Sequence, residues 1–148
     1  MYKRIVVAVD GSETSNKALD EATKLAREMS SIILLLHVCE ELPIMWEPDG
    51  MNMMLIQNSL EAIADAGKEL LEKHRKMLTQ QNITAETKLV KTYDGRISSV
   101  ISDEAQKWNA DLLVVGTHGR KGIAHLLMGS VAEGVTRTTS MPVLLVRR

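Results

Sequence analysis

The sequence predicts an α/β protein with a parallel β-sheet that is doubly wound, with helices on both faces. Two apolar runs, Ile5–Val9 and Ile32–Val38, have the continuous hydrophobicity of strands that are buried on both faces. Segments with helical spacing of apolar residues separate these runs, and such alternation is typical of a doubly wound sheet. At 148 residues the chain is long enough to bury a substantial core. We therefore expect one domain over residues 1–148, with three layers of helix, sheet and helix.

The first half of the chain supplies two strands and two helices. A turn-forming run at residues 10–12 ends the strand Ile5–Val9, and Glu13–Met29 then carries apolar residues at helical spacing. The strand Ile32–Val38 follows. The segment Glu40–Asn58 contains two prolines and a glycine and predicts a long loop, whose methionines suit a lid, a partner surface or a solvated segment. A second helix is predicted over Ser59–Gln80.

The second half of the chain continues the alternation. The run Ile83–Val90 alternates apolar with polar residues, as expected of a strand near a sheet edge. A third helix is predicted over Ile97–Trp108 and a fourth strand over Asp111–Val115. Residues 116–128 predict a loop. A short helix over Ser130–Thr138 and a final strand over Val143–Val146 follow.

The order of these strands determines where a ligand would bind. Crossovers between parallel strands are right-handed, and if strands one and four are neighbours the order is 3-2-1-4-5. In such sheets ligands bind beyond the carboxyl ends of the strands, at the point where the strand order reverses. Strand one leads into Asp10 and strand four leads into Gly116. We therefore expect these two loops to meet in one crevice.

Composition and charge narrow the classes of function. The formal net charge is −1, so the net charge of the chain gives no electrostatic attraction to nucleic acid or to an anionic membrane. Aromatic residues make up only 3%, which disfavours the stacking platforms of proteins that bind single strands. No apolar run reaches the roughly 18 residues of a membrane span, and the N-terminal stretch is too short for a signal peptide. We expect a cytoplasmic protein that binds neither nucleic acid nor membrane.

Cysteine and histidine residues do not indicate redox or metal chemistry. The single cysteine, Cys39, cannot form an intrachain disulfide and is interpreted as a small buried hydrophobic residue. His37 lies on an apolar strand, where a hydrogen-bonded buried histidine is more common than a ligand or a catalyst. No set of Cys, His or carboxylate residues around His118 and His125 has metal-ligand spacing, so no metal site is expected.

A glycine-rich loop after the fourth strand is the strongest signal for function. It reads G-T-H-G from Gly116 to Gly119, and Gly129-Ser130 follows after nine further residues. Glycines at a strand exit and at a helix entry let backbone N–H groups approach a bound anion. Basic residues within the loop can supply positive charge: His118, Arg120 and Lys121. The pattern points to a ligand that carries phosphate.

The spacing alone leaves two interpretations open. The loop is not a Walker A motif, because no Gly-Lys-Ser/Thr occurs, and it is not the dinucleotide-binding G-x-G-x-x-G. A flexible turn before a helix would contain similar glycines, and Ser130 with Glu133 matches a capping box that needs no ligand. Asp10 is either an acceptor for ribose hydroxyls or an N-cap or turn residue beside Ser12.

Together these motifs resemble the universal stress protein family. The spacing Gly116-x2-Gly119-x9-Gly129-Ser130 looks like the nucleotide-binding signature of that family. Further similarities are Val9-Asp10-Gly11-Ser12, His37-Val38 and the run from Pro142 to Val146. The resemblance covers essentially the whole chain. It implies a flavodoxin-like, Rossmann-like fold, a homodimer and, in the members that carry the motif, a bound ATP.

The resemblance also implies a role for each matching position. Asp10 would face the ribose, the backbone of Val38 would meet the adenine edge, and the two glycine segments would approach the ribose and phosphates. The residues implied to contact the nucleotide are Ala8, Val9, Asp10, Val38, Gly116, Thr117, His118, Gly119, Arg120, Lys121, Gly122, Gly129, Ser130, Val131 and Ala132.

From the motifs and the resemblance we predict a dimeric, ATP-binding regulator linked to the stress response. ATP would be a bound effector, and any Mg²⁺ or Mn²⁺ would arrive with it. Hydrolysis would be slow at most, because the chain has no Walker-type lysine and no evident general base. The homodimer would pair through the apolar edge strand Val143–Val146.

Two alternatives to this function stay open. One is an enzyme, either a true ATP hydrolase or a nucleotidyl-transfer enzyme, with His118 or Asp10 as acid or base. The other is a nucleotide-free interaction protein whose loop only caps its helix.

Overall fold

The computed structural model describes residues 1–41, 50–119 and 128–147, in which strands and helices alternate. The elements are β1 (Arg4–Ala8), α1 (Glu13–Met29), β2 (Ile32–Glu40), α2 (Gly50–Gln80), β3 (Ala85–Thr92), α3 (Ile97–Lys107), β4 (Leu112–Gly116), α4 (Ser130–Thr138) and β5 (Val143–Val146). Within the described ranges, every helix lacks the combination of length and apolar character needed for a membrane span.

The strands form one parallel sheet in the order β3-β2-β1-β4-β5. The central strand β1 lies between β2 and β4, with Val7 opposite Leu35 on one side and Val114 on the other. The predicted order is therefore confirmed, including the adjacency of strands one and four on which it depended. The order places β3 at one edge and β5 at the other, as the sequence patterns indicated.

Two hydrophobic clusters cover the two faces of the sheet. Ile5 and Val7 of β1 pack against α1 and α2, where Leu19 is among the buried residues. Val6 points to the opposite face and packs with Ile101 of α3 and with α4. Burying one such side chain contributes roughly 1.5–3 kcal/mol. Because both faces are covered, the inner strands have continuous apolar sequences, and the three-layer prediction is confirmed.

Helix α2 begins earlier than the sequence predicted. The prediction of a loop over Glu40–Asn58 was wrong for its last part, because the helix already begins at Gly50. Met, Leu, Ile and Gln dominate residues 51–57 and all form helices readily, while the prolines that suggested a loop precede the helix. Residues 42–49, which hold both prolines, lie outside the described part. Since Met53, Met54 and Leu55 are exposed, propensity and not burial accounts for this first part of the helix.

Candidate functional site

A cavity of about 260 Å³ lies at the carboxyl end of the sheet, on the face that α3 and α4 cover. The ends of β2, β1 and β4 line it, at the point where the strand order reverses. The crevice expected from the strand order is thus present. Its lining residues are Ala8, Val9, Asp10, Ser15, Leu36, Val38, Ile97, Ile101, Val115, Gly116, Thr117, His118, Gly119, Gly129, Ser130, Val131 and Ala132.

Every predicted contact residue in the described ranges lines this cavity. The residues come from four parts of the chain: the end of β1, the end of β2, the loop after β4 and the start of α4. The predicted residues Arg120, Lys121 and Gly122 lie outside the described residues.

The sequence did not indicate five of the lining residues: Ser15, Leu36, Ile97, Ile101 and Val115. Leu36 lies two residues before Val38 on β2, so strand periodicity alone could have placed it on the same face. Ile97 and Ile101 are one helical turn apart on α3 and also share a face. Nothing in the local sequence shows that α3 covers this end of the sheet, because that depends on the packing of the whole face.

Asp10 occupies a tight turn between β1 and α1. Its carboxylate oxygen Oδ1 accepts a hydrogen bond of 2.9 Å from the Ser12 N–H, and its own N–H donates to Ser15 Oγ at 3.1 Å. Ser12, not Asp10, is the N-cap of α1, and its hydroxyl accepts from the Ser15 N–H. Asp10 is therefore a turn residue and at the same time lines the cavity, so its two predicted roles are compatible.

Gly119 lies close to Asp10 in the lining of the cavity. A Cβ atom at this position would lie 3.0 Å from Asp10 Oδ2, a distance tighter than most real Cβ contacts. The absence of a side chain therefore allows the loop after β4 to approach the turn after β1. This approach brings the two predicted loops together at one cavity.

Thr117 connects three elements around the site. Its N–H donates to the Val146 carbonyl at the end of β5, and its carbonyl accepts from the Gly129 N–H at 2.6 Å. Its hydroxyl lies 3.0 Å from His118 Nδ1. The loop after β4 is thereby tied to the edge strand and to the start of α4.

The predicted capping box at the start of α4 does not form. Gly129, with an extended backbone, is the N-cap, and no side chain of the described residues caps this helix end; Ser130 is already the first helical residue. The carboxylate of Glu133 instead pairs with Arg137, 2.8 Å away. The interpretation in which Ser130 and Glu133 satisfy this helix end without a ligand is therefore wrong. The start of α4 brings the positive end of the helix dipole to the cavity wall.

His37 lies on the other face of the sheet from the cavity. Its side chain is buried, and Nδ1 donates to the Val9 carbonyl over 2.6 Å, since a carbonyl oxygen can only accept. The interpretation of His37 as a hydrogen-bonded buried histidine is confirmed. Cys39 is also buried, as predicted. The described residues contain no cluster of three or more Cys, His, Asp or Glu side chains suited to a metal ion.

Comparison with known proteins identifies the family. The sequence model of the universal stress protein family matches residues 1–147. The chain belongs to the universal stress protein family. A universal stress protein of Methanocaldococcus jannaschii, MJ0531, is 32% identical over 148 residues, which are 100% of this chain and 84% of that protein.

Solved structures of family members share the fold. The structure of MJ0577 from Methanocaldococcus jannaschii superposes with a TM-score of 0.86 at 25% identity, covering 100% of this chain and 97% of that one. A universal stress protein of Archaeoglobus fulgidus, solved in complex with dAMP, gives a TM-score of 0.66 at 21% identity over 98% of both chains. The Rossmann-like fold with sheet order 3-2-1-4-5 is thus that of universal stress proteins.

Proposed function

We propose that this protein binds ATP in the cavity and acts as a dimeric regulator in the stress response. One observation carries the proposal: a single cavity combines an aliphatic wall with a carboxylate and the start of a helix whose N-cap is a glycine. An aliphatic wall suits a planar base, a carboxylate suits ribose hydroxyls, and a helix N-terminus suits phosphate.

The aliphatic wall supports an adenine base. Leu36 and Val38 of β2 and Ile97 and Ile101 of α3 supply it. The dAMP bound to the Archaeoglobus fulgidus relative supports the same choice of base, since dAMP is an adenine nucleotide. We expect the base to lie between β2 and α3, with its edge toward the backbone of Val38.

The start of α4 supports a phosphate group. The Gly129 N–H already donates to the Thr117 carbonyl, and the first intrahelical bond joins the Glu133 N–H to the Gly129 carbonyl. The N–H groups of Ser130, Val131 and Ala132 have no intrahelical acceptor at this position of a helix. These three residues all line the cavity. We expect their N–H groups, with the Ser130 hydroxyl, to bind the phosphates.

We propose that hydrolysis is slow at most. Among the described lining residues, Asp10 alone carries a carboxylate, and one of its oxygens already accepts from the Ser12 N–H. We expect turnover well below about 1 s⁻¹, the lower end of the usual enzyme range. A faster rate that is lost in His118→Ala would instead identify an ATP hydrolase.

The test begins with the nucleotide that accompanies the purified protein. The protein is denatured, any released nucleotide is identified by chromatography and mass spectrometry, and ATP binding is measured by calorimetry. Gly119→Val should abolish binding by crowding Asp10, and Ile101→Trp should weaken it by filling the base pocket. Thr87→Val, on an exposed position of edge strand β3, is the control and should bind as the wild type does. No released nucleotide and no binding of millimolar ATP by a folded wild-type protein would refute the proposal.

The dimer is proposed to form through β5. Its four residues are only partly buried, and the strand lies at the sheet edge, where its unpaired side can join a second strand. Because the Val146 carbonyl accepts from Thr117, the dimer would adjoin the nucleotide loop. Light scattering coupled to size exclusion should give twice the chain mass at micromolar concentration, and a monomer would contradict this arrangement.

The exposed first part of α2 favours a second candidate, a protein-interaction module that needs no nucleotide. Met53, Met54, Leu55 and Ile63 are exposed there, and methionine-rich apolar surfaces adapt to varied partners. Partner binding that persists in Gly119→Val, from a protein that carries no nucleotide, would favour this candidate.

A further inference from the structure

We infer that Ser15 is a positioning residue for Asp10, and that it sets how strongly the site distinguishes ribose from deoxyribose. The inference rests on the proposed function, in which Asp10 accepts from ribose hydroxyls. Ser15 was not indicated by the sequence motifs, and its role follows from three hydrogen bonds around the turn after β1.

These hydrogen bonds form a closed ring. The Asp10 N–H donates to Ser15 Oγ at 3.1 Å, and the Ser15 N–H donates to Ser12 Oγ at 3.2 Å. The Ser12 N–H donates back to Asp10 Oδ1 at 2.9 Å. Two of these bonds involve Asp10 directly, through the Ser15 hydroxyl and the Ser12 backbone, whereas the Ser12 hydroxyl bonds the Ser15 backbone and not Asp10.

The ring distinguishes the two oxygens of the Asp10 carboxylate. Because Oδ1 accepts from the Ser12 N–H inside the turn, the carboxylate plane is held and Oδ2 lies toward Gly119. Gly119 is part of the cavity lining, so Oδ2 is the oxygen on the ligand side. A ribose hydroxyl that approaches Oδ2 from the cavity would donate to it.

Ser15 holds this arrangement from within the cavity wall. Ser15 is only 4% exposed, yet it lines the cavity. Its hydroxyl oxygen is the acceptor for the backbone of Asp10 itself, whereas the Ser12 hydroxyl accepts from the Ser15 N–H at the helix end. Removal of the Ser15 hydroxyl therefore leaves the Asp10 N–H without its acceptor, and the turn can rotate the carboxylate away from the ligand.

The consequence is selective for the sugar. A hydrogen bond from a ribose hydroxyl to a well-oriented carboxylate should favour ATP roughly tenfold or more over the analogue that lacks that hydroxyl. Base and phosphate contacts are the same in both ligands. Misorientation of Asp10 should therefore weaken ATP binding but leave binding of the deoxy analogue nearly unchanged.

The experiment measures the affinity of the full-length protein for ATP, 2′-deoxyATP and 3′-deoxyATP by calorimetry. The variants are Ser15→Ala, Asp10→Ala and, as the matched control, Ser12→Ala. The control weakens the same end of α1 but retains the hydrogen bonds of Asp10 with the Ser15 hydroxyl and with the Ser12 backbone. Ser15→Thr keeps a hydroxyl and provides a second measurement if the alanine variant does not fold.

We expect Ser15→Ala to bind ATP at least threefold more weakly than the wild type does. It should bind the deoxy analogue that lacks the hydroxyl bonded to Asp10 as tightly as the wild type does. Asp10→Ala loses the discrimination fully, while Ser12→Ala and Ser15→Thr retain it. Equal weakening of all three nucleotides by Ser15→Ala, or the same loss of discrimination in Ser12→Ala, would show a merely structural role and overturn the inference. If Ser15→Ala does not fold, loss of discrimination in a folded Ser15→Thr also overturns it.

Failure of the proposed function has a different signature. A wild type that binds no nucleotide refutes both. If the wild type binds the three nucleotides equally, and Asp10→Ala does not change these affinities, the cavity binds nucleotide without the ribose contact. This result overturns the inference alone.

Discussion

Two buried histidines give opposite predictions for the same substitution. His37 on β2 and His74 on α2 are each 7% exposed. His37 has a hydrogen bond to the Val9 carbonyl, whereas neither ring nitrogen of His74 has a partner among the described residues. Leucine is close to histidine in volume and has no polar atoms. We expect His74→Leu to stabilise the protein and His37→Leu to destabilise it.

The gain at His74 comes from removing unsatisfied polar atoms. An unpaired buried polar group costs about 1–3 kcal/mol, and imperfect packing of the new side chain offsets part of the gain. We expect a net increase of about 1 kcal/mol in the free energy of unfolding, which raises Tm by about 2–4 °C for a domain of this size.

The loss at His37 has two sources. The Val9 carbonyl loses its donor. The imidazole also packs so closely on Gly67 that a Cβ added to this glycine would lie 2.7 Å from His37 Cδ2, and the branched leucine has to fit in the same space. Together we expect a loss of about 2–4 kcal/mol, or roughly 4–16 °C in Tm.

The pH dependence separates His74 from a simple packing effect. Burial lowers the pKa of His74, and the charge of Lys73 lowers it further, while Asp20 of α1 opposes the shift. In the unfolded chain His74 binds a proton near its ordinary pKa of 6.5, whereas in the folded protein it stays neutral to lower pH. Stability should therefore fall as the pH drops below 6.5, by at most about 1.4 kcal/mol per pH unit. His74→Leu should remove this contribution.

Urea denaturation followed by circular dichroism, at pH 7.5 and at pH 5.5, measures both effects. The wild type and His37→Leu should lose stability between the two pH values by more than His74→Leu does. If both leucine variants are destabilised alike at pH 7.5, hydrogen bonding does not distinguish the two sites and the reasoning is refuted.

Two further substitutions test the packing of α3 and of β4. Hydrogen bonds from Lys107 and Lys88 lower the pKa of the buried Glu104 carboxylate, so Glu104→Gln should lower the free energy of unfolding by about 1–3 kcal/mol at pH 7. That stabilisation is present above the ordinary pKa of 4.5 and is lost as the pH falls through the lower folded value, so denaturation curves of the two proteins should converge in acid. Gly116→Ala should cost about 1–3 kcal/mol in thermal denaturation, because its Cβ would lie 2.9 Å from Thr14 Cγ2 and 3.0 Å from the Thr14 backbone; an unchanged Tm would contradict the tight packing of α1 on β4.

The strands were predictable from short-range patterns, whereas their order also required the assumption that strands one and four are neighbours. Ile5–Val9 and Ile32–Val38 are apolar at every position but one, because strands inside a doubly wound sheet are buried on both faces. The polar alternation of β3 likewise indicated an edge. With right-handed crossovers, these patterns left few topologies, and the one chosen brings Asp10 and Gly116 into one cavity.

Two predictions about helix ends were wrong for reasons of context. Gly50 suggested a loop, yet it is the first residue of α2, because a glycine at the end of a helix does not interrupt the helix. Ser130 and Glu133 match the spacing of a capping box, but the helix begins one residue too early for it. Capping depends on which residue adopts the extended N-cap conformation, and here that residue is Gly129, whose N–H is bonded to Thr117.

The glycine loop, Asp10 and the alternation of strands and helices can be read from the chain, because each follows from neighbouring residues and from the periods of strand and helix. The width and walls of the cavity cannot. Ile97 and Ile101 reach it only because α3 packs on β2 and beside α4. Such contacts join residues through the packing of whole elements, so they are settled when the sheet and its helices come together and not before.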